Sequence, residues 1–339
     1  MKKNIFILGL ASMLFVNCSD NESDPVVADN TINQEILTNT SLNVITATYK
    51  ELYDNSVLLL TTVKNVWAST RAPWEKSEGF LYGPVDTEGI DPAIDSWPVD
   101  VNAINNILNS SQAITSSLLD NDDARGFHTI EYFVWGLNGD KTASQLTARE
   151  LEYLVAASQN LQSKTLQLYN GWLQSQGNFA NNFISAGQSG SIYTSQKNAL
   201  LELVEGIIII SDEVATGKIE TPLNGDNGNA SPQDEESRFS NNSKLDFANN
   251  IRSIQNIYLG DYGTTQGKGL TDLVASKNAT LDATIKAKIS DAITAIEAIP
   301  GTFTDAIFNN RTAVQNAQQK VAELKVTLES QLQPLISNL

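Results

Sequence analysis

One histidine, one cysteine and two methionines occur in 339 residues, and each scarcity closes off a class of function. A lone cysteine forbids an intramolecular disulfide. A lone histidine forbids the H-E-x-x-H zinc site, where two imidazoles share a helical face with a glutamate between them as base. A serine triad could recruit only that one histidine, and no G-x-S-x-G elbow presents a serine to it. Basic residues are also few, 22 against 39 acids, for a formal charge of −17. Nucleic acid, whose phosphates demand a basic footprint, is therefore excluded as a partner. Missing too are apolar runs of membrane-crossing length and the alternating pattern of sheet strands.

What is present begins with a basic start, Lys2-Lys3, and an apolar stretch from Ile5 to Val16. Residues 1–17 read as a secretory signal. Cys18 follows directly after Phe15-Val16-Asn17, a loose version of the bacterial lipoprotein box, whose thiol is lipidated after cleavage. The alternative is an ordinary signal peptide in which the cysteine has no role. Cleavage before Cys18 removes two lysines and no acid, moving the charge from −17 to −19 and leaving 322 residues. That length exceeds what one hydrophobic core normally serves and points to two domains. Ser19, not aspartate, follows the cysteine, which favours the outer membrane. The acidic Ser19-Asp20-Asn21-Glu22 stretch resembles surface-export signals. The expected address is thus an outer-membrane lipoprotein, periplasmic or surface-exposed, with an envelope transport component as an expected partner. Residues 18–30 lack apolar periodicity and read as a flexible tether.

From there helical spacing dominates. Ile32, Ile36, Tyr49, Leu52, Leu59, Val63 and Trp67 recur at three-to-four intervals and predict one long first helix. Thr147-x-x-Glu150 is a capping box before a second, running to Trp172. A third is expected from about Thr194 through Val214, ending at Gly217. Its Ile207–Ile210 run could pass for a strand, but the helical pattern on both sides outweighs it. Further helices are expected over 242–259, 278–299 and 304–335, with Pro300-Gly301 as a break. The fold class is therefore all-α, two antiparallel helical bundles over 31–187 and 188–339, divided at Gly187-Gln188-Ser189-Gly190. Two irregular segments interrupt the pattern. Segment 68–100 is rich in aromatics and reads as ordered. In 218–240, Asn224 to Gln233 reads as a flexible tip and Glu236 to Ser240 as anchored.

The one histidine lies in Gly126-Phe127-His128-Thr129-Ile130-Glu131. His128 and Glu131 are three apart, so a helix places them on one face. An imidazole and a carboxylate in one small volume suit a metal ion or a proton-transfer pair; the bland reading is a buried, structural His–Glu pair. One imidazole with carboxylates suits zinc less well than iron or harder cations. Such a site would lose affinity as pH falls below about 6.5, because the imidazole must be deprotonated to bind.

Five blocks occur in order: Arg71-Ala-Pro-Trp74-Glu75-Lys-Ser77-Glu78-Gly79-Phe80-Leu81-Tyr82-Gly83-Pro84, Ile94-Asp95-Ser-Trp97-Pro98-Val-Asp100, the His128 segment, Glu236-Ser237-Arg238-Phe239-Ser240-Asn-Asn242, and Asn256-Ile-Tyr258-Leu-Gly260. Together they resemble the imelysin family, whose hallmark is G-x-H-x-x-E, across nearly the whole mature chain. Gly79 departs from the commoner alanine, and Arg238 stands at a variable position. The resemblance implies two helical bundles, related by an old duplication, with a site between them in an exported or envelope-anchored protein. It also implies one of two activities. The first is binding of a metal ion, iron favoured and zinc or another divalent cation next, or of a small metal-containing ligand, for uptake. The alternative is a metal-dependent peptidase. By family position Glu78 joins His128 and Glu131 as a metal ligand. Arg71, Trp74, Asp95, Trp97, Asp100, Arg125, Glu236, Ser237, Ser240 and Asn242 are expected around them. Structural duties compete at each of these: turn aspartates cap helices, arginines neutralise carboxylates, Ser240 could cap the next helix, and tryptophans pack.

Overall fold

The computed structural model describes residues 25–58, 63–120, 124–225 and 227–339. The signal segment, Cys18 and the tether as far as residue 24 lie outside them. From Pro25 the chain is already helical, so the tether expected to residue 30 gives way earlier than its polarity implied. No sheet occurs among the described residues; one isolated bridge joins Tyr262 and Thr265.

Among the described residues, eight principal helices form two groups of four. The first group is α1 (25–58), α2 (Val63–Glu75), α3 (Gly126–Trp135) and α4 (Ala148–Trp172). The second is α5 (196–224), α6 (Ser243–Leu259), α7 (Ala279–Glu297) and α8 (311–337). In the first group α2 and α4 both pack on α1, and α3 packs on α4. In the second α6 packs on α5 and α7, and α8 closes against α7 and α5. Helix α2 crosses onto α6, and the start of α1 leans on α5, so buried apolar residues of both groups join one continuous core.

Sequence periodicity placed these helices well but missed where three of them break. The expected first helix is two, α1 and α2, folded into a hairpin: Asn55 Nδ2 donates to the Ser69 carbonyl at 2.9 Å. Both arms bury apolar residues at helical spacing, so the sequence pattern passes from one to the other without a punctuating glycine or proline; residues 59–62, Leu59 among them, lie outside the described residues. Helix α5 does not stop at Gly217. It passes through a π-helical segment, Glu213–Ile219, and continues to Asn224, with Gly217 lacking the positive φ of a terminating glycine. The expected helix 304–335 is interrupted at Asn310, between Phe303–Asn309 and Arg311–Thr327. The capping box at Thr147 forms as the sequence reads, and Gly260 closes α6 in the left-handed conformation. The isoleucine run lies in helix, three of its members buried and Ile209 facing solvent. The tip expected to be flexible is pinned at Ser231, which is buried and donates its N–H to the Pro222 carbonyl at 2.8 Å.

Candidate functional site

The site is built where α2, α3 and the irregular segment 76–100 meet the ends of α5 and α6. Helix α3 starts hard against the backbone of Ile94. A Cβ at Gly126 would stand 2.4 Å from the Ile94 carbonyl oxygen, and Gly126 has φ of +80°, so glycine alone fits. That close approach brings His128, two residues on, beside Asp95. Trp67 Nε1 donates to the Phe127 carbonyl at 3.0 Å and fixes the same turn. On the other side Gly206 of α5 lets the Gly79 carbonyl approach, since a Cβ there would lie 2.3 Å from it. The short turn Glu78–Phe80 is thereby pressed onto α5, and Glu78 points at Lys218.

His128 is fully buried. Its Nδ1 lies 2.8 Å from Glu131 Oε2, while Glu131 Oε1 accepts from the Ser240 N–H at 2.8 Å and the Ser240 hydroxyl at 2.7 Å. Glu131 therefore stands behind the imidazole with both oxygens engaged, and it orients the ring. The other nitrogen, Nε2, faces Asp95 Oδ1 at 3.2 Å and Glu236 Oε1 at 3.4 Å without a well-directed hydrogen bond to either. One donor atom from each of Asp95, His128 and Glu236 falls within 4.8 Å of the others. A second such set comprises Glu75, Glu78, Asp95 and Glu236. Glu78 thus shares carboxylate neighbours with His128 through Asp95 and Glu236. The Trp97 ring meets His128 edge-on at 4.8 Å, and Phe239 packs behind Trp97 at 5.4 Å.

Two cations hold these carboxylates. Arg71, fully buried over the Phe127 ring, pairs with Glu75 at 2.5 Å and Asp246 at 3.4 Å, and it also contacts Asp95 and Glu236. Lys218 bridges Glu236 at 2.9 Å and Glu78 at 3.0 Å. Six carboxylates, those of Glu75, Glu78, Asp95, Glu213, Glu236 and Asp246, thus face two permanent positive charges, and Glu131 faces the imidazole. The imbalance shows in their proton affinities. Burial pushes the Asp246 carboxyl up to about 8, with Glu75 adding to the effect and Arg71 opposing it. Burial likewise lifts Glu78 well above the carboxylate range, against Lys218. Although burial opposes it, Lys218, His128 and Arg71 hold Glu236 well below that range. Burial and Arg71 disfavour the imidazolium of His128, yet Glu131 and Glu236 keep its pKa above the ordinary value.

A cleft of about 510 Å³ opens onto this cluster, lined by Glu78, Asp91, Asp95, Glu213, Asp234 and Glu236 with Trp97 and Lys218. It is an acidic cleft between the two helix groups, and the imidazole lies directly behind two of its lining acids, Asp95 and Glu236. Such a donor set, one nitrogen and several carboxylate oxygens, is chemically suited to hard or borderline cations.

Several expected site residues take part and two do not. Trp74 Nε1 donates to Asp95, Asn242 Nδ2 donates to Asp246 Oδ1 at 2.6 Å, and Ser237 lies beside Asp246. Ser240 serves Glu131, as expected of a residue around the site, and not the N-terminus of α6, which sets aside the competing explanation of a helix cap. Asp100 is exposed and caps the helix Val101–Asn109 through Ala103 N at 2.9 Å, so it lies outside the cluster. Arg125 turns away to the carbonyls of Leu119 and Asp120, at 3.2 and 2.6 Å, and so lies outside the cluster. Glu75, Asp246, Lys218 and Asn250, whose Nδ2 donates to Glu75 at 2.6 Å and to Glu78 at 3.1 Å, escaped sequence reading. Glu75 carried a signal, standing four residues after Arg71 as a helical ion pair would require. Lys218 carried none, because its position depends on a π-helical segment that periodicity does not reveal.

A wholly helical protein with one buried imidazole among carboxylates, beside an acidic cleft between two helix groups, is the class these features define. The chain belongs to the imelysin (peptidase M75) family, which it matches over residues 48–328. It is 28% identical over 282 residues to iron-regulated protein A of Synechococcus elongatus, spanning 82% of this chain and 75% of that protein. The crystal structure of an iron-regulated protein A precursor from Parabacteroides distasonis superposes with a TM-score of 0.77 at 28% identity, covering 91% of this chain and 95% of that one. An imelysin-like protein from Psychrobacter arcticum shares the fold, with a TM-score of 0.72 at 15% identity over 91% and 96% of the two chains.

Proposed function

We propose that this chain is an envelope lipoprotein whose acidic cleft captures a metal cation, iron before others, as cargo for uptake. The observation that carries the reading is His128 Nε2, a fully buried nitrogen without a directed hydrogen bond, aimed at Asp95 and Glu236. Buried polar atoms in native proteins normally have partners, and one without a directed bond beside the acids of a cleft points to a ligand. Each carboxylate oxygen there has two lone pairs, so one can face Arg71 while the other faces the cargo. Glu131 and Ser240 hold the imidazole, Asp95 and Glu236 supply oxygen, and Glu78 extends the carboxylate set toward the mouth. The name of the Synechococcus and Parabacteroides relatives supports iron as the cargo. The absence of a second histidine leaves the peptidase reading without a zincin site.

The test is a titration of the purified protein with Fe²⁺ under anaerobic conditions and with Mn²⁺ as an air-stable stand-in. His128→Ala should lose most of the affinity and keep the helical circular-dichroism signal, and Glu131→Gln should fall between it and wild type. Equal binding by His128→Ala would overturn the metal site. Peptide hydrolysis abolished by the same substitution would replace transport with proteolysis.

A further inference from the structure

We propose that Lys218 is a tethered counter-cation that occupies the outer half of the cleft and must be displaced by the cargo, so that multivalent cations are admitted and monovalent ones are not. This rests on the metal reading above. Three observations lead to it. First, the ammonium sits between Glu236 at 2.9 Å and Glu78 at 3.0 Å, the arrangement that carboxylates would offer an incoming cation. Second, the helix carrying it is distorted for the purpose. Glu213 and Lys218 are five apart, which an α-helix would set on different faces, but the π-helical segment Glu213–Ile219 brings them within 3.9 Å. Glu213 is about half exposed at the cleft mouth, so the ammonium has a second carboxylate to move to without leaving the cleft. Third, Asp95 and Glu236 line the same cleft as Lys218 and face His128 Nε2 at 3.2 and 3.4 Å, a buried nitrogen without a well-directed hydrogen bond, so a cation that displaces the lysine meets further donors beside it.

The consequence is a competition internal to the protein. A monovalent ion offers Glu78 and Glu236 no more charge than the ammonium already there, and the ammonium comes with no loss of translational freedom. A divalent or trivalent ion, bound by Asp95, His128 and Glu236, offers more. When such an ion enters, Lys218 withdraws toward Glu213 and the exposed rim.

Mn²⁺ binding to the full-length mature protein tests this with Lys218→Met and Lys218→Arg. Removing the competitor should tighten Mn²⁺ binding about ten-fold or more, the size of an ordinary coupling between two ligands, whereas Lys218→Arg should bind no tighter than wild type. Unchanged or weaker binding by Lys218→Met overturns the proposal, as does equal tightening by Lys218→Arg, which would trace the gain to packing. Wild-type binding that His128→Ala removes and Lys218→Met leaves untouched overturns the role of Lys218 alone. Absence of binding in wild type and Lys218→Met overturns both readings. Should Lys218→Met fail to fold, wild-type protein gives the answer through acetylation of Lys218 followed by mass spectrometry. Mn²⁺ should accelerate modification as the amine moves to the rim; an equal or slower rate overturns the displacement.

Discussion

Arg71→Met would remove the charge on which the buried cluster is centred while keeping most of the side-chain volume. Arg71 is fully buried and its guanidinium touches four carboxylates, those of Glu75, Asp95, Glu236 and Asp246. Deleting one partner of a buried ion pair costs about 3–5 kcal/mol, because the other partner is left uncompensated. Here four are left, with Lys218 in reach of Glu236 alone among them. The expected loss at neutral pH is at the top of that range, about 5 kcal/mol, comparable with the whole stability of many domains. The sign of the pH dependence follows. Arg71 favours the ionised forms of Glu236 and Asp246, so without it the native state takes up protons that the unfolded state lacks, and stability drops as pH rises. Arg71→Met should therefore be closest to wild type near about pH 5 and furthest from it near about pH 8. Urea denaturation followed by circular dichroism at both pH values measures the difference. A loss below about 2 kcal/mol that is equal at both pH values would refute the reasoning, since it would mean that water, and not Arg71, solvates these carboxylates.

Asp246→Asn isolates one proton of the same cluster. Its carboxyl is raised from 3.8 to about 8 in the folded protein, so stability from this group is present at acid pH and lost as pH rises through that window. The wild type should lose up to about 1.4 kcal/mol per pH unit from this one group between about pH 5 and pH 7, and Asp246→Asn should show a correspondingly shallower slope in urea midpoints. An unchanged slope would mean that Asp246 is ionised throughout. Cys18→Ala addresses the anchor: it should move the protein from the membrane fraction to a soluble fraction, and unaltered membrane association would rule the lipid out.

The helices were legible because burial in a bundle imposes a three-to-four period on the chain, and the period survives in α4 and α6 almost to their last residues. The breaks were not, because each is made by tertiary contact. The hairpin between α1 and α2 is set by which faces meet, and the π-helical segment in α5 by the burial of Lys218 against acids from elsewhere in the chain. The site divides in the same way. His128 and Glu131 are neighbours on one turn of one helix, so spacing alone finds them. Arg71, Trp74, Asp95 and Glu236 came from a resemblance between ordered blocks of sequence, and the structure shows why they occur together. Asp95 and Glu236 are shared by the Arg71 guanidinium and the His128 imidazole, and Trp74 donates to Asp95. Asp100 and Arg125 sit in the same blocks but bond outside the cluster, a distinction that needs coordinates. Lys218 stands outside those blocks, and an isolated lysine near a glycine reads as an ordinary helix end.

An apolar core of equal volume would be at least as stable as this cluster, since buried ion pairs seldom repay the loss of hydration. The chain nevertheless draws Arg71, Asp95 and His128 from its first half and Lys218, Glu236 and Asp246 from its second, and assembles them where the two groups of helices meet. The negative charge left over is what the cluster gains that an apolar core could not supply. Two obligate cations leave the six carboxylates short of neutrality, and the upward shifts of the Asp246 and Glu78 carboxyls ease only part of that deficit. A multivalent cation at His128 would ease more of it and would bind both halves at once. The electrostatic deficit in the fold and the affinity of the cleft are on this account the same quantity. Substitutions that make the metal-free protein more stable by removing carboxylates should therefore be those that bind cargo least well.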